Sequence, residues 1–208
     1  MTSVTTAESS MQIGFNSVLF SGHDLETAFK VAAWCGYDGI ELNAIAGMTP
    51  HLVLDQWQAE AGRIRALSKR FGVPITAMEQ PGRDAQLMEP ALQAAAEIGI
   101  PVVNTGPGGE TDKPDTLQET IDELAALAEL AGRYGVVLCV KAHVGRAIYN
   151  TPTSLEALKQ IDHPNFGLDM DPSHIHRADE DPVEAIGAVV DRIRHVHIRD
   201  CKGRQQGP

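Results

Sequence analysis

The sequence has few cysteines, few basic residues and no long apolar run, and each shortage excludes a class of protein. Its three cysteines, Cys35, Cys139 and Cys201, lie far apart and form no C-x-x-C pair. This argues against a disulfide framework and predicts buried, apolar thiols in a reducing compartment. The 17 lysines and arginines are scattered and outnumbered by 28 acidic residues, so nucleic acid is not an expected partner.

The chain also lacks the segments that would direct it to or across a membrane. No apolar stretch approaches the roughly 18 residues that a membrane-spanning helix needs. The first ten residues, MTSVTTAESS, have neither the basic region nor the apolar centre of a signal peptide. We therefore expect a cytoplasmic protein without a membrane partner, with a disordered tail over 1–10 and one domain over 11–208.

The sequence is rich in alternating strand and helix patterns. Short β-rich runs predict seven strands, at 12–16, 38–42, 74–79, 101–105, 136–141, 166–171 and 194–200. Between them, apolar residues recur at i, i+3, i+4 and i+7. Two of these helical stretches, 24–36 and 115–135, begin at an aspartate and end at a glycine. The order predicts parallel βαβ units with right-handed crossovers.

Two architectures fit this order, an open doubly wound sheet and a (β/α) barrel. The first predicted strand is not followed by the G-x-G-x-x-G of dinucleotide-binding sheets, and the isolated GPGGE at 106–110 indicates a flexible loop. Polar residues close nearly every predicted strand, which is typical of a barrel with its active site at the carboxyl ends of the strands. These residues are Asn16, Glu41, Asn43, Glu79, Asn104, Lys141, Asp171 and His197.

Side-chain alternation predicts which polar residues point into the barrel. Successive residues of a strand point to opposite faces, and on the last three strands one face is polar and the other apolar. The polar face consists of Cys139, Lys141, His143, Asp169, Asp171, His195, His197 and Arg199. Charges inside a barrel are costly unless they are paired or bind a metal, so this face predicts a functional site or an internal salt-bridge layer.

Four segments, in this order along the chain, resemble the xylose isomerase-like TIM-barrel superfamily of sugar phosphate isomerases and epimerases. They are GYDGIEL, GVVLCVKAHVG, NFGLDMDPSHI and IRHVHIRDCKGR, and the resemblance runs from about residue 11 to the end. It implies a (β/α) TIM-type barrel holding a divalent ion, commonly Mn²⁺, Mg²⁺, Co²⁺ or Zn²⁺. In that superfamily the ion polarises sugar oxygens while carboxylates move a proton between carbons.

The resemblance implies metal ligands at three positions. Asp171 matches the ligand that ends strand six, and His197 matches the ligand on strand seven. His174 matches the D-x-x-H histidine, which ligates the metal in some members and contacts the substrate in others. A carboxylate with imidazoles suits Mn²⁺, Co²⁺ or Zn²⁺. Asp169 and His195, one layer deeper, are expected to orient these ligands.

Lys141 departs from the family pattern, because it stands where strand five should end in a glutamate ligand. Three interpretations stay open. The ion has fewer protein ligands, with His143 substituting; or Lys141 neutralises Asp171 and no metal binds; or Lys141 has a lowered pKa and acts as a base or forms a Schiff base.

Length is the second departure. A (β/α)₈ barrel typically has about 250 residues, whereas this chain has 208 and ends just beyond the seventh predicted strand. We expect a barrel that is incomplete at the C-terminus, with about seven βα units and without the eighth strand and its glutamate. Open strand edges then predict a homo-oligomer or a strand-completing partner.

The function predicted from these residues is that of a sugar phosphate isomerase or epimerase, with divalent-metal-assisted proton transfer on a small carbohydrate or keto-sugar. Lys141 and Glu79 are the predicted catalytic residues, and His143, Glu41 and Asn16 the predicted substrate-binding residues. One alternative is a metal-free, lysine-based lyase or aldolase of the same fold. The other is a non-catalytic barrel fragment that binds a sugar or a partner chain.

Overall fold

The structure is a computed structural model that describes residues 11–48 and 50–204. Its strands, β1 to β7, form one parallel sheet in which every strand lies beside its neighbours in the sequence. They span Gly14–Asn16, Gly39–Asn43, Ile75–Glu79, Val102–Thr105, Val137–Lys141, Phe166–Met170 and Ile193–Val196. All seven predicted strands are confirmed, although the last ends earlier than predicted. The tail predicted over 1–10 lies outside the described residues.

Helices connect the strands in the part of the chain that the structure describes. The α-helices α1 to α7 span Leu25–Cys35, Trp57–Phe71, Ala85–Ile98, Pro114–Arg133, Thr151–Gln160, Pro172–Arg177 and Pro182–Val189. Three short 3₁₀ helices lie at Ser17–Phe20, Leu54–Gln56 and Val190–Arg192. None of the described helices is both long enough and apolar enough to cross a membrane.

The residues predicted to begin the two helices are confirmed for α1 but not for α4. Helix α1 is capped as predicted, because the Asp24 side chain accepts from Thr27 and Gly36 closes the helix at a φ of 73°. Helix α4 begins instead at Pro114, a residue favoured in the first turn because it has no N–H to satisfy. Asp115 therefore lies inside the first turn, where its charge interacts favourably with the helix dipole.

The main core fills the space between the helices and the outer face of the sheet. Leu138 and Leu168 are buried there with helical residues such as Phe29. A smaller apolar layer inside the barrel contains Cys139, and burial there raises the pKa of its thiol. The prediction of buried cysteines is thus right for Cys139 and wrong for Cys35, which is exposed.

The sheet curls, so that strands far apart in its order meet across the interior. The Asn104 amide on β4 lies 2.7 Å from Glu41 on β2 and 3.0 Å from the His195 ring on β7. Among the described residues no ladder joins β1 to β7, and the predicted seven-stranded incomplete barrel is confirmed. Val196 and Ile198, which belong to the apolar face of the last predicted strand, are 42% and 80% exposed.

Candidate active site

The carboxyl ends of the strands bring the predicted polar side chains together inside the curled sheet. The strand register places Lys141 beside Asp169, and Asp169 beside His195. At the other edge it places Asn16 beside Glu41. The alternation that predicted an inward-facing polar layer therefore describes Lys141, Asp169 and His195 correctly, whereas Asp171 and Arg199 lie beyond the ends of β6 and β7.

Lys141 lies between two carboxylates. Its Nζ donates to Glu79 Oε1 at 2.9 Å and lies 3.6 Å from Asp169 Oδ2. Burial would lower the pKa of Lys141, but the charges of Asp169 and Glu79 and the hydrogen bond raise it above its usual value. Lys141 is therefore an ammonium, and the interpretation that it has a lowered pKa is not supported. Lys141 pairs with Glu79 and Asp169 and not with Asp171, so the interpretation that Lys141 neutralises Asp171 is wrong.

His197 also lies between two carboxylates. Its Nε2 is 2.5 Å from Glu41 Oε2, and its Nδ1 is 3.0 Å from Asp169 Oδ2. Burial would lower the pKa of His197, but its hydrogen bonds and the charges of Asp169 and Glu41 raise it to about 10. The His197 ring is therefore protonated at neutral pH; its Nε2 donates to Glu41, and its Nδ1 forms an ion pair with Asp169.

The pKa values of the carboxylates Asp169 and Glu41 shift in the opposite direction. Burial would raise the pKa of Asp169, but hydrogen bonds from His195 and His197 hold it well below its usual range. The pKa of Glu41 is likewise lowered, because the hydrogen bond and charge of His197 outweigh burial. Both groups are ionised at neutral pH.

Two asparagine amides connect the glutamates to this network. Asn16 Nδ2 donates to Glu41 Oε2 at 2.9 Å and to Glu79 Oε2 at 2.6 Å. Asn104 Nδ2 donates to the other oxygen of Glu41 at 2.7 Å. We call the whole network the inner cluster; it consists of Asn16, Glu41, Glu79, Asn104, Lys141, Asp169, His195 and His197.

A cavity of about 80 Å³ opens beside the inner cluster. Glu79, Asn104, Lys141 and His143 are among the residues that line it. The Glu79–Lys141 ion pair is therefore accessible to a small molecule. The predicted residues Lys141, Glu79 and His143 meet at this cavity.

Asp171 and His174 belong to a different group, at the start of α6. Asp171 caps this helix, because its Oδ1 accepts from the backbone N–H of Ser173 at 3.1 Å and from its hydroxyl at 2.6 Å. Its Oδ2 lies 3.3 Å from Arg199 Nε. Asp171, Ser173, His174, Arg177 and Arg199 form what we call the outer cluster.

Metal-ligating side chains converge within the inner cluster. Within 11–48 and 50–204, one group of three has its ligand atoms within 4.8 Å of one another, namely Glu41, His195 and His197. The predicted set shares only His197 with this group, since Asp171 and His174 lie in the outer cluster. The ligand roles of Asp171, His174 and His197 stay predictions.

Sequence reasoning did not select every residue that the fold brings to the site. Asp169 and His195 were assigned a supporting role, yet Asp169 contacts Lys141, His195 and His197 at the centre of the inner cluster. The alternating H-x-H and D-x-D patterns were the signal for both residues. Asn104 was recognised as a polar strand end only, because its contacts depend on the curl of the sheet.

Residues 29–208 match the family described as the xylose isomerase-like TIM barrel, and the chain belongs to this family. An inosose dehydratase from Bacillus velezensis is 24% identical over 140 residues, which are 67% of this chain and 46% of that enzyme. The matched segments thus span less than half the length of the curated relatives, between 28% and 46%.

Solved structures share the fold. A D-tagatose 3-epimerase-like protein superposes with a TM-score of 0.78 at 21% identity, covering 94% of this chain and 78% of that one. The IOLI protein, whose structure contains a zinc atom, gives 0.74 at 18% identity, covering 93% and 76%. At these identities the likeness establishes the architecture and leaves the reaction open.

Proposed function

We propose that this chain carries the reaction site of a sugar-modifying enzyme that moves a proton at a carbon next to a ketone, as an isomerase or epimerase does. The observation that carries the proposal is the 2.9 Å ion pair between Glu79 and Lys141 in the wall of the cavity. It places a carboxylate base and a fixed cation side by side. Removal of such a proton needs both, because negative charge develops on the carbonyl oxygen.

The proposed step uses these two groups in sequence. The Glu79 carboxylate takes the proton, and the C–H electron pair forms the carbon–carbon double bond of an enolate. The carbonyl oxygen becomes negative beside the Lys141 ammonium. Donation of a proton by an acid on the opposite face of the same carbon gives an epimer. Return of the proton by Glu79 to the neighbouring carbon, with transfer of the neighbouring hydroxyl proton to the former carbonyl oxygen, gives an isomer.

Asn16 and Glu41 support this step by position. Asn16 donates to both glutamates, so it fixes the Glu79 carboxylate relative to Glu41. His143 lines the cavity, which supports its predicted contact with substrate. Glu41 and Asn16 were predicted to bind substrate as well; their hydrogen bonds within the inner cluster favour a positioning role.

The dehydratase relative supports the substrate class. An inosose is a polyhydroxylated cyclic ketone, and loss of water from a β-hydroxy ketone begins with the same proton removal. An enzyme of this kind differs from an epimerase in the fate of the enolate, which expels a hydroxyl group and does not recover the proton. We therefore propose a polyhydroxylated ketone as substrate.

The inner cluster contains donor atoms of the types that bind a divalent ion. Glu41, His195 and His197 would hold it, since one carboxylate and two imidazoles suit Zn²⁺, Mn²⁺ or Co²⁺. When bound, the ion would supply positive charge that polarises a carbonyl oxygen. It would compete with the His197 proton, because both nitrogens of that ring face carboxylates.

The lysine-based alternative is less well supported. A Schiff-base lysine must lose its proton to attack a carbonyl, but the carboxylates on either side of Lys141 raise its pKa. The same charges suit an ammonium that stays protonated and stabilises an enolate. The other alternative, a non-catalytic barrel, predicts that the protein exchanges no substrate hydrogen with solvent.

The test is exchange of substrate hydrogen with solvent. The protein is incubated in D₂O with an inosose or a ketohexose, with and without Mn²⁺, Co²⁺ or Zn²⁺, and loss of the proton next to the ketone is followed by NMR. We expect exchange by the unaltered protein. Glu79→Gln should slow it about 10²- to 10⁴-fold, as for loss of a general base.

Glu119→Gln is the matched control, because Glu119 is exposed on α4 and should leave the rate unchanged. Absence of exchange with every ketone and metal would contradict the proposed activity. Equal rates for Glu79→Gln and the unaltered protein would contradict the role of Glu79.

A further inference from the structure

The Asn104 side chain contains a buried acceptor that has no hydrogen-bond donor. Asn104 lies in β4 and is 1% exposed. Among residues 11–48 and 50–204, no group donates to its Oδ1. A buried oxygen in this state costs free energy, because it has lost the water that bonds to it in the unfolded chain. A donor from a bound molecule would therefore be favourable at this position.

The Glu41 carboxylate fixes the orientation of the Asn104 amide. Asn104 Nδ2 donates to Glu41 Oε1 at 2.7 Å, and turning the amide over would place two oxygens without hydrogens against each other. The same nitrogen is 3.0 Å from His195 Nδ1, but that ring nitrogen is also 3.0 Å from Asp169 Oδ1 and donates there, since a carboxylate only accepts. Reversal of the amide therefore does not satisfy Asn104 Oδ1.

Asn104 lies beside the two groups of the proposed proton transfer. The strand register places Glu79 next to Asn104, and both residues line the cavity of about 80 Å³ together with Lys141. The Lys141 ammonium has three N–H bonds, and its contacts with Glu79 and Asp169 leave at least one of them for a ligand. The residues around this cavity thus offer a base, a cationic donor and a neutral acceptor.

These three groups match the atoms of a ketone that carries a hydroxyl group on a neighbouring carbon. The carboxylate takes the proton of the C–H bond, the ammonium donates to the ketone oxygen, and the amide oxygen accepts from the hydroxyl group. An ether, a carboxylate or a second ketone in place of the hydroxyl group has no hydrogen to donate and would leave Asn104 Oδ1 unpaired. The unpaired oxygen thus favours a hydroxyl group at that position of the substrate.

We propose that Asn104 binds the substrate, and that its Oδ1 accepts a hydrogen bond from a hydroxyl group on a carbon next to the ketone. This inference rests on the proposed function, because it narrows the substrate class of the same site to α-hydroxy ketones. The contact holds the substrate with its C–H bond towards Glu79 and its ketone oxygen towards Lys141. Asn104 thereby determines which ketones react.

Binding to the unaltered protein tests the contact without catalysis. Fructose, 1-deoxyfructose and 3-deoxyfructose are titrated into the ¹⁵N-labelled protein in H₂O, and the side-chain amide signals of Asn104 are followed by NMR. Each deoxy sugar lacks one hydroxyl group next to the ketone. We expect a saturable shift with fructose and at least about tenfold weaker binding of one deoxy sugar. The Asn165 amide, which donates to the Val136 carbonyl just before β6, is the internal control and should not shift.

Two asparagine variants separate recognition of the hydroxyl group from support of Glu41. Asn104→Ala removes a donor to Glu41 together with the unpaired acceptor. Asn16→Ala also removes a donor to Glu41, but the Asn16 oxygen already accepts from the backbone N–H of Val18. Hydrogen exchange of the three sugars is measured in D₂O at concentrations well below saturation. We expect the unaltered protein and the slower Asn16→Ala to prefer fructose at least about tenfold over one deoxy sugar, and Asn104→Ala to lose this preference.

The outcomes distinguish this inference from the proposed function. No shift of the Asn104 signals, or equal affinity for all three sugars, would show that water alone serves Asn104 Oδ1 and would overturn the proposal. Exchange with the same preference in Asn104→Ala and the unaltered protein would overturn the role of Asn104 and leave the activity standing. Hydroxyl-dependent binding at Asn104 without any exchange would support the contact and contradict the activity. Should Asn104→Ala not fold, the binding measurement on the unaltered protein decides.

Discussion

At the scale of single residues, neighbouring charges decide the chemical state of the side chains in the inner cluster. Lys141 and His197 each lie between two carboxylates, and both have raised pKa values. Three carboxylates, Glu41, Glu79 and Asp169, face these two cations. The lysine thus supplies a fixed positive charge at the position where the sequence resemblance predicted a glutamate ligand.

The pKa of His197 predicts a pH-dependent stability. Its folded-state value of about 10 lies above the roughly 6.5 of an unfolded histidine. The stabilisation is therefore fully present below about pH 6.5 and is lost as the pH rises towards 10. His197→Gln should unfold at lower urea than the unaltered protein at pH 6, and this difference should shrink by pH 9.5.

Urea unfolding between pH 6 and 9.5, with a chelator present to remove metals, measures this difference. His176→Gln is the control, because His176 is exposed one turn away from Asp171 and should follow the unaltered protein throughout. A difference between His197→Gln and the unaltered protein that stays constant with pH would contradict the ion-pair assignment.

At the scale of elements, the contact between β6 and β7 positions three residues of the inner cluster, Asp169, His195 and His197. Gly167 lies on β6 two residues before Asp169, and a Cβ added there would lie 2.7 Å from Arg194 Cγ and 2.8 Å from the Arg192 carbonyl oxygen. The carbonyl belongs to the backbone and has little freedom to move. Close approach of these strands therefore requires a glycine at this position.

Gly167→Ala should destabilise the protein by about 1–3 kcal/mol, because the added methyl group pushes β7 away from β6. The shift should also perturb the His195 and His197 ring signals in NMR spectra. Gly62→Ala is the control, since Gly62 lies on α2 with no atom within 4 Å of an added Cβ. It should gain up to ~1 kcal/mol from helix propensity. Unchanged stability of Gly167→Ala would show that the strands separate without cost.

At the scale of the whole molecule, the two edges of the sheet distinguish it from a closed barrel, because among residues 11–48 and 50–204 no second strand pairs with β1 or with β7. Strands β1 and β7 end the order of the sheet, and Ile198, just beyond β7, is 80% exposed. An unpaired edge with apolar side chains favours association with a second chain. This agrees with the predicted oligomer or strand-completing partner, which stays a prediction.

Ile198→Gln should reduce concentration-dependent self-association and leave the urea midpoint nearly unchanged, because an exposed side chain contributes little to folding stability. Analytical ultracentrifugation over a hundredfold range of concentration measures the association. Leu87→Gln, at a position 46% exposed on α3, is the control and should associate as the unaltered protein does. Identical association in all three proteins would show that the edge beside β7 is not the contact surface.

The sequence by itself determined the features that depend on local spacing. Alternation along a strand predicted that Lys141 and His197 point inward, and the residues at the ends of α1 predicted its boundaries, because both patterns act over a few neighbouring residues. Asp171 was predicted to be a metal ligand from its motif alone. The same local chemistry that makes Asp-Pro-Ser a helix start holds the Asp171 carboxylate at Ser173.

Only the tertiary structure decided which inward-facing residues meet. Glu41 and His197 are 156 positions apart in the chain, and their hydrogen bond forms because the curl of the sheet brings β2 close to the end of β7. One interpretation paired Lys141 with Asp171, but the strand register places Asp169 next to Lys141. No local pattern specifies such distant pairs, since the angle of curl and the register between strands are set by packing of the whole core.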